Sequence, residues 1–130
     1  MGLPINGNGE QQELWYDDNW DAWVWTSGNC PTEVEEEGFD NDFAENVPEI
    51  LDKVEEITGE RPQINGGHED TCHNTGSRHY SGEAIDIDSN GWSTSWKDDF
   101  REYLETELGY HYFDEGGHVH VATAPSGGGA

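Results

Sequence analysis

The stretch Ser77-Arg78-His79-Tyr80-Ser81-Gly82-Glu83-Ala84-Ile85-Asp86-Ile87-Asp88 decides how this chain folds, and Asp114-Glu115-Gly116-Gly117-His118-Val119-His120 answers it further along. The first stretch ends as a short strand. A period of two puts Asp86 and Asp88 on one face and Ile85 and Ile87 on the other. The second repeats the pattern, with His118 and His120 on one face and Val119 and Val121 behind them. Each strand thus carries polar, metal-competent side chains on one side and aliphatic core on the other. His79, in the loop entering the first strand, is placed to fold back over the polar face. Two imidazoles and a carboxylate at one point suit Zn²⁺ with a fourth position open, which is the arrangement of a catalytic rather than a structural zinc.

Around these strands the chain reads as a small α+β domain: an antiparallel sheet with helices packed on one side and the zinc site on the other. Val47, Ile50, Leu51, Val54 and Ile57 recur at helical spacing. Asn46 is the expected N-cap, with Glu49 completing a capping box, Pro48 in the first turn and Gly59 as terminator. A second helix starts at Ser93 or Ser95, carries Trp96, Phe100, Tyr103, Leu104 and Leu108 on one face, and stops at Gly109. Short strands are expected near residues 61–65, at Trp23-Val24-Trp25 and on either side of Gly116-Gly117. Residues 1–42 read as an N-terminal Trp-rich extension and acidic connector, 43–123 as the metal domain, and 124–130 as a flexible Gly/Ser tail. The rings of Trp15, Tyr16, Trp20, Trp23 and Trp25 supply core that the acidic remainder lacks, or form a surface that docks a protein partner.

The chain has 130 residues, 29 acidic against five basic, and a net charge of −24. Carboxylates spread along its whole length repel one another in dilute buffer, and molar salt removes most of that repulsion by cutting the Debye length to about 3 Å. A hypersaline setting is the simplest reading, and an acidic protein binding Ca²⁺ or a basic partner is the runner-up. Without a basic patch, nucleic-acid binding is not expected. No apolar run is long enough for membrane insertion, and the N-terminus has no signal-peptide pattern. Cys30 and Cys72 are consistent with one disulfide, with two free thiols, or with a Cys72/His73 metal pair.

The pattern Ser77-x-His79-x-x-Gly82-x-Ala84-x-Asp86, followed by His118-x-His120, resembles the zinc D-alanyl-D-alanine carboxypeptidase and endolysin-peptidase superfamily, with the Hedgehog signalling domain its most similar branch. The likeness covers residues 61–122. It implies Zn²⁺ held by His79, Asp86 and His120, with His118 stabilising a developing oxyanion. The general base it implies is a carboxylate just before His118: Glu115, which has the longer reach and is preferred, or Asp114, at the Hedgehog spacing. Asp88 is a candidate for orienting a ligating histidine. Peptidoglycan-cleaving members grip a substrate carboxylate with an arginine. His68 stands at that position here, and Arg78 is the nearest substitute. His73 matches a Hedgehog histidine, and Glu69 and Asp70 partly match a Ca²⁺ cluster.

The resemblance therefore implies a zinc metallopeptidase or amidase cutting a peptide in or near a cell envelope, with Arg78, His73 and His68 toward the substrate. The alternative is a non-catalytic, zinc-stabilised binding or structural module, such as a virion or surface-assembly component. A Ca²⁺-dependent adhesion module is the third reading. An extracellular or virion-associated location fits either of the first two, and a cytoplasmic one stays open.

Overall fold

A computed structural model describes residues 12–27, 31–69, 73 and 76–124. The expectations for the lead-in, the tail, the two cysteines and Asp70 fall outside these residues. Six strands form one sheet in the order β1-β2-β3-β4-β6-β5: β1 (Gln12–Asp17), β2 (Ala22–Ser27), β3 (Gln63–Gly66), β4 (Ala84–Asp88), β5 (His111–Asp114) and β6 (His118–Ala122). Two helices, α1 (Asn41–Thr58) and α2 (Thr94–Tyr103), join the buried side chains of the sheet in a single core.

The α+β class is as expected, but the sheet is mixed rather than antiparallel throughout. Strands β2 and β3 run parallel, with Trp23 beside Gln63 and Val24 beside Ile64. The chain between them passes through α1, and a helical crossover returns the next strand in the same direction. The other four pairings are antiparallel.

Residues 12–27 and 31–39 are built into this sheet and core. Trp20 is buried, its indole N–H donating to the Val34 carbonyl at 2.8 Å, and Ala22, Val24, Val34 and Phe39 pack with it. Antiparallel pairing puts Trp15 and Val24 on the core face, and leaves Leu14, Tyr16 and Trp23 exposed on the other. The aromatic stretch thus divides between core and surface.

Helix α1 begins upstream of the expected cap. Asp40 is the N-cap, its carboxylate accepting the Phe43 N–H at 3.2 Å, so Pro48 lies inside the helix. A proline there forfeits one backbone hydrogen bond, and the burial of Phe43, Ala44, Val47, Ile50, Leu51 and Val54 along one face offsets that loss. Asn46 instead donates to the Tyr110 hydroxyl at 2.8 Å. Gly59 closes the helix at φ 83°, as its sequence position implied. In α2, Ser93 accepts the Trp96 N–H at 3.1 Å, and the chain continues through one π-turn, Leu104–Leu108, to Gly109.

Both helices pack on the face carrying Ile64, Ile85, Ile87, Val119 and Val121, leaving the opposite face of the sheet uncovered by either.

Candidate metal centre

Strands β4 and β6 lie side by side, with Asp86 opposite His120 and Asp88 opposite His118. The 3-10 turn Arg78–Ser81 then carries His79 over Asp86. Ser77 caps the turn by accepting the His79 N–H at 3.2 Å. Gly82 ends it at φ 70°, where a Cβ would stand 2.4 Å from the Gly38 carbonyl oxygen, so only glycine fits both the conformation and the space.

His79, Asp86 and His120 are all buried, and one ligand atom from each lies within 4.8 Å of the others. His79 Nε2 is 3.2 Å and His120 Nδ1 3.0 Å from the same Asp86 oxygen. Burial pushes the Asp86 carboxyl up, but the ring nitrogens of His120 and His79 outweigh it and hold the group well below the usual carboxylate range.

The protonation of His79 follows from its other nitrogen. Nδ1 lies 2.6 Å from the Gly67 carbonyl oxygen, which only accepts, so Nδ1 carries a proton. Were the ring neutral, its Nε2 lone pair would face an ionised carboxylate 3.2 Å away. Nε2 is buried and without a hydrogen-bond partner. Two facing acceptors need a second ring proton or a cation between them. Two imidazoles and one carboxylate, with one ring fixed by a backbone carbonyl, form a donor set suited to Zn²⁺. A buried group able to hold a metal ion is therefore present.

The carbonyl that orients His79 is itself held in place. Glu69, buried in the loop after β3, accepts the Gly67 N–H at 2.8 Å, the Glu33 N–H at 3.0 Å and the His73 ring N–H at 2.8 Å. Burial opposes ionisation of Glu69, but the His73 bond and these backbone donors pull its carboxyl below its usual value. Residue pattern did not reveal this support, because its key atoms are backbone. The Gly66-Gly67 pair was the available signal. A Cβ on Gly66 would stand 2.6 Å from an Asp86 oxygen, and one on Gly67 would stand 1.9 Å from the Glu33 carbonyl oxygen.

His73 stacks on His79 with centroids 3.8 Å apart and planes 11° from parallel. Glu69, His73 and His79 also cluster, but parallel stacked rings direct their lone pairs side by side rather than to one point. His73 thus walls the site. His68 is turned elsewhere, edge-on to Phe39 and 3.2 Å from Glu35. Arg78 reaches Glu83 at 3.5 Å. Asp88, considered as an orienting partner, accepts from Asn90 and Asn65 instead, at 3.0 and 3.5 Å.

The two carboxylates before His118 separate cleanly. Asp114 pairs with Lys97 of α2 at 3.0 Å, on the side where Tyr112 packs against Phe100. Its carboxyl is lowered by the Gly116 N–H and then by Lys97. Glu115, just past the strand, turns to the open face, 3.1 Å from His118 Nε2, and His118 Nε2 is 3.8 Å from the second Asp86 oxygen. Glu115 and His118 therefore stand beside the buried triad, and Asp114 does not. Comparison with protein-family models, curated proteins and solved structures finds no match to this chain.

Proposed function

We propose that this protein is a zinc-dependent hydrolase of peptide or amide bonds. The observation that carries the reading is a carboxylate and an imidazole, Glu115 and His118, at the mouth of a buried His79–Asp86–His120 group. Zn²⁺ bound there would polarise a scissile carbonyl and lower the pKa of water to about 7.

The chain's own residues supply the rest. Glu115 accepts the proton of the attacking water as its oxygen bonds to the carbonyl carbon, then delivers that proton to the amine nitrogen as the C–N bond breaks. His118, with Nε2 between Glu115 and Asp86, is placed to donate to the carbonyl oxygen as negative charge develops on it. His73 and the Glu69–Gly67 pair hold the His79 ring in one orientation. The sequence resemblance adds a cell-envelope peptide as the substrate class, and the charge of −24 fits work at high salt.

The test is hydrolysis of a broad peptide panel by zinc-loaded protein in high salt, wild type beside Glu115→Gln. Cleavage that falls by about 10²-fold or more in the variant, with zinc content unchanged, is expected. A loaded wild type that cleaves no member of the panel overturns the hydrolase reading and leaves a zinc-stabilised binding module.

A further inference from the structure

Three of the large apolar side chains most exposed among the described residues stand together. Leu14, Tyr16, Trp23, Tyr80 and Phe113 each leave between 41% and 48% of their surface to solvent. Leu14, Tyr16 and Trp23 lie together on β1 and β2, at one edge of the face that carries the metal centre; Phe113 is on the same face but at the opposite edge, on β5, and Tyr80 follows His79 in sequence. Exposed apolar patches gathered in one region mark places where something binds.

One row of residues crosses this face. Tyr16 lies opposite Trp23, Trp23 beside Gln63, and Asp88 opposite His118. Gln63 and Asp88 are linked through Asn65, whose amide donates to Asp88 while its oxygen accepts from Gln63. A cavity of about 470 Å³ has Leu14, Trp23, Gln63 and Asp88 among its walls. Trp23 meets the Tyr16 ring edge-on at 5.4 Å, which steadies it. Asp88 accepts only from the Asn90 and Asn65 amides, and no ion pair reaches it among the described residues. Arg61, also on the cavity wall, is committed to Asp52 and Glu55.

A half-exposed indole and a carboxylate without a counter-charge, two strands apart on the walls of one cavity, suit a long cationic side chain that can gain from both the ring face and the acid. The surplus of 29 acidic over five basic residues favours the approach of such a ligand. At about 4.8 Å per strand, a point midway between Trp23 and Asp88 is roughly 10 Å from His118, the reach of about three extended residues.

Resting on the hydrolase reading, we infer that Trp23 and Asp88 form a subsite for a lysine or arginine side chain of an extended peptide, about three residues from the bond cut at the metal centre. The hairpin that brings Trp23 here lies outside the stretch that resembles the peptidase superfamily, so the preference is this chain's own.

The probe is a blocked alanine hexapeptide with one lysine, beside versions carrying norleucine or glutamate instead. Binding is measured by tryptophan fluorescence on zinc-loaded Glu115→Gln, so that cleavage does not interfere. Lysine is expected to bind about tenfold tighter than norleucine. Adding Trp23→Leu or Asp88→Asn, each checked for fold by circular dichroism, is expected to bring that ratio close to one. Equal binding of lysine and norleucine, or a preference that survives both changes, overturns the subsite. So does tighter binding of a neutral oligosaccharide than of the lysine peptide. A lysine preference in a protein that cleaves nothing sinks the hydrolase reading alone, whereas cleavage without the preference sinks the subsite alone.

Discussion

Glu115 and Asp114 are adjacent in sequence, yet their carboxylates serve opposite faces of the sheet, and that separation decides which one can take part in chemistry. Asp114 shares its side with Tyr112, whose phenol is pushed up to about 12 by burial and then by Asp114. We expect Glu115→Gln to lower hydrolysis by about 10²-fold or more, the size of a lost general base, and Asp114→Asn to leave it within about threefold of wild type. Parallel rate measurements decide it, and equal losses would contradict the assignment. Glu69 gives a second prediction at this scale. Replacing it by glutamine aims an amide at one of the N–H groups it now accepts, so Glu69→Gln should cost about 1–3 kcal/mol in denaturant unfolding and weaken zinc binding about 10–100-fold. Unchanged zinc affinity would show that the His79 ring does not depend on this support. Asp86 and His120 were legible because strand periodicity assigns each a face, whereas His79 was placed by its position in the loop entering β4 and by the resemblance. The roles of Gly67 and Glu69 were not, since they turn on a backbone carbonyl brought close by the fold.

At the scale of elements, α1 shows how a local signal misleads. Asn46, Pro48 and Glu49 together look like a helix start, but Asp40 provides a cap further upstream and packing carries the proline. Asp40→Ala should therefore cost about 1 kcal/mol. Asn46→Ala should cost about 0.5–1.5 kcal/mol through the Tyr110 hydroxyl, and almost nothing in a Tyr110→Phe background. Denaturant unfolding of these variants checks both, and an Asn46 cost that persists without the hydroxyl would restore a capping role. Gly59 and Gly109 were read correctly, and Ser93 was one of the two caps offered with Ser95, because each acts within its own turn. The β2–β3 pairing was not legible, because it joins segments separated by a whole helix, and nothing in either strand names its neighbour.

At the scale of the molecule, a chain with 29 acidic residues folds around a core to which residues 12–27 and 31–39 contribute. The mutual repulsion of a net charge of −24 should make stability rise steeply with salt. Between about 0.1 and 1 M the Debye length falls from roughly 10 to 3 Å, so the Tm should climb through that interval. A Tm that is flat across it would contradict self-repulsion as the controlling term. The most direct test of the metal centre is zinc stoichiometry, measured by native mass spectrometry on the wild type and on His120→Ala. One zinc per wild-type chain and none in the variant is the expected result. Wild-type protein that takes up no zinc, or a variant that retains it, would contradict the assignment of His79, Asp86 and His120 as the ligands.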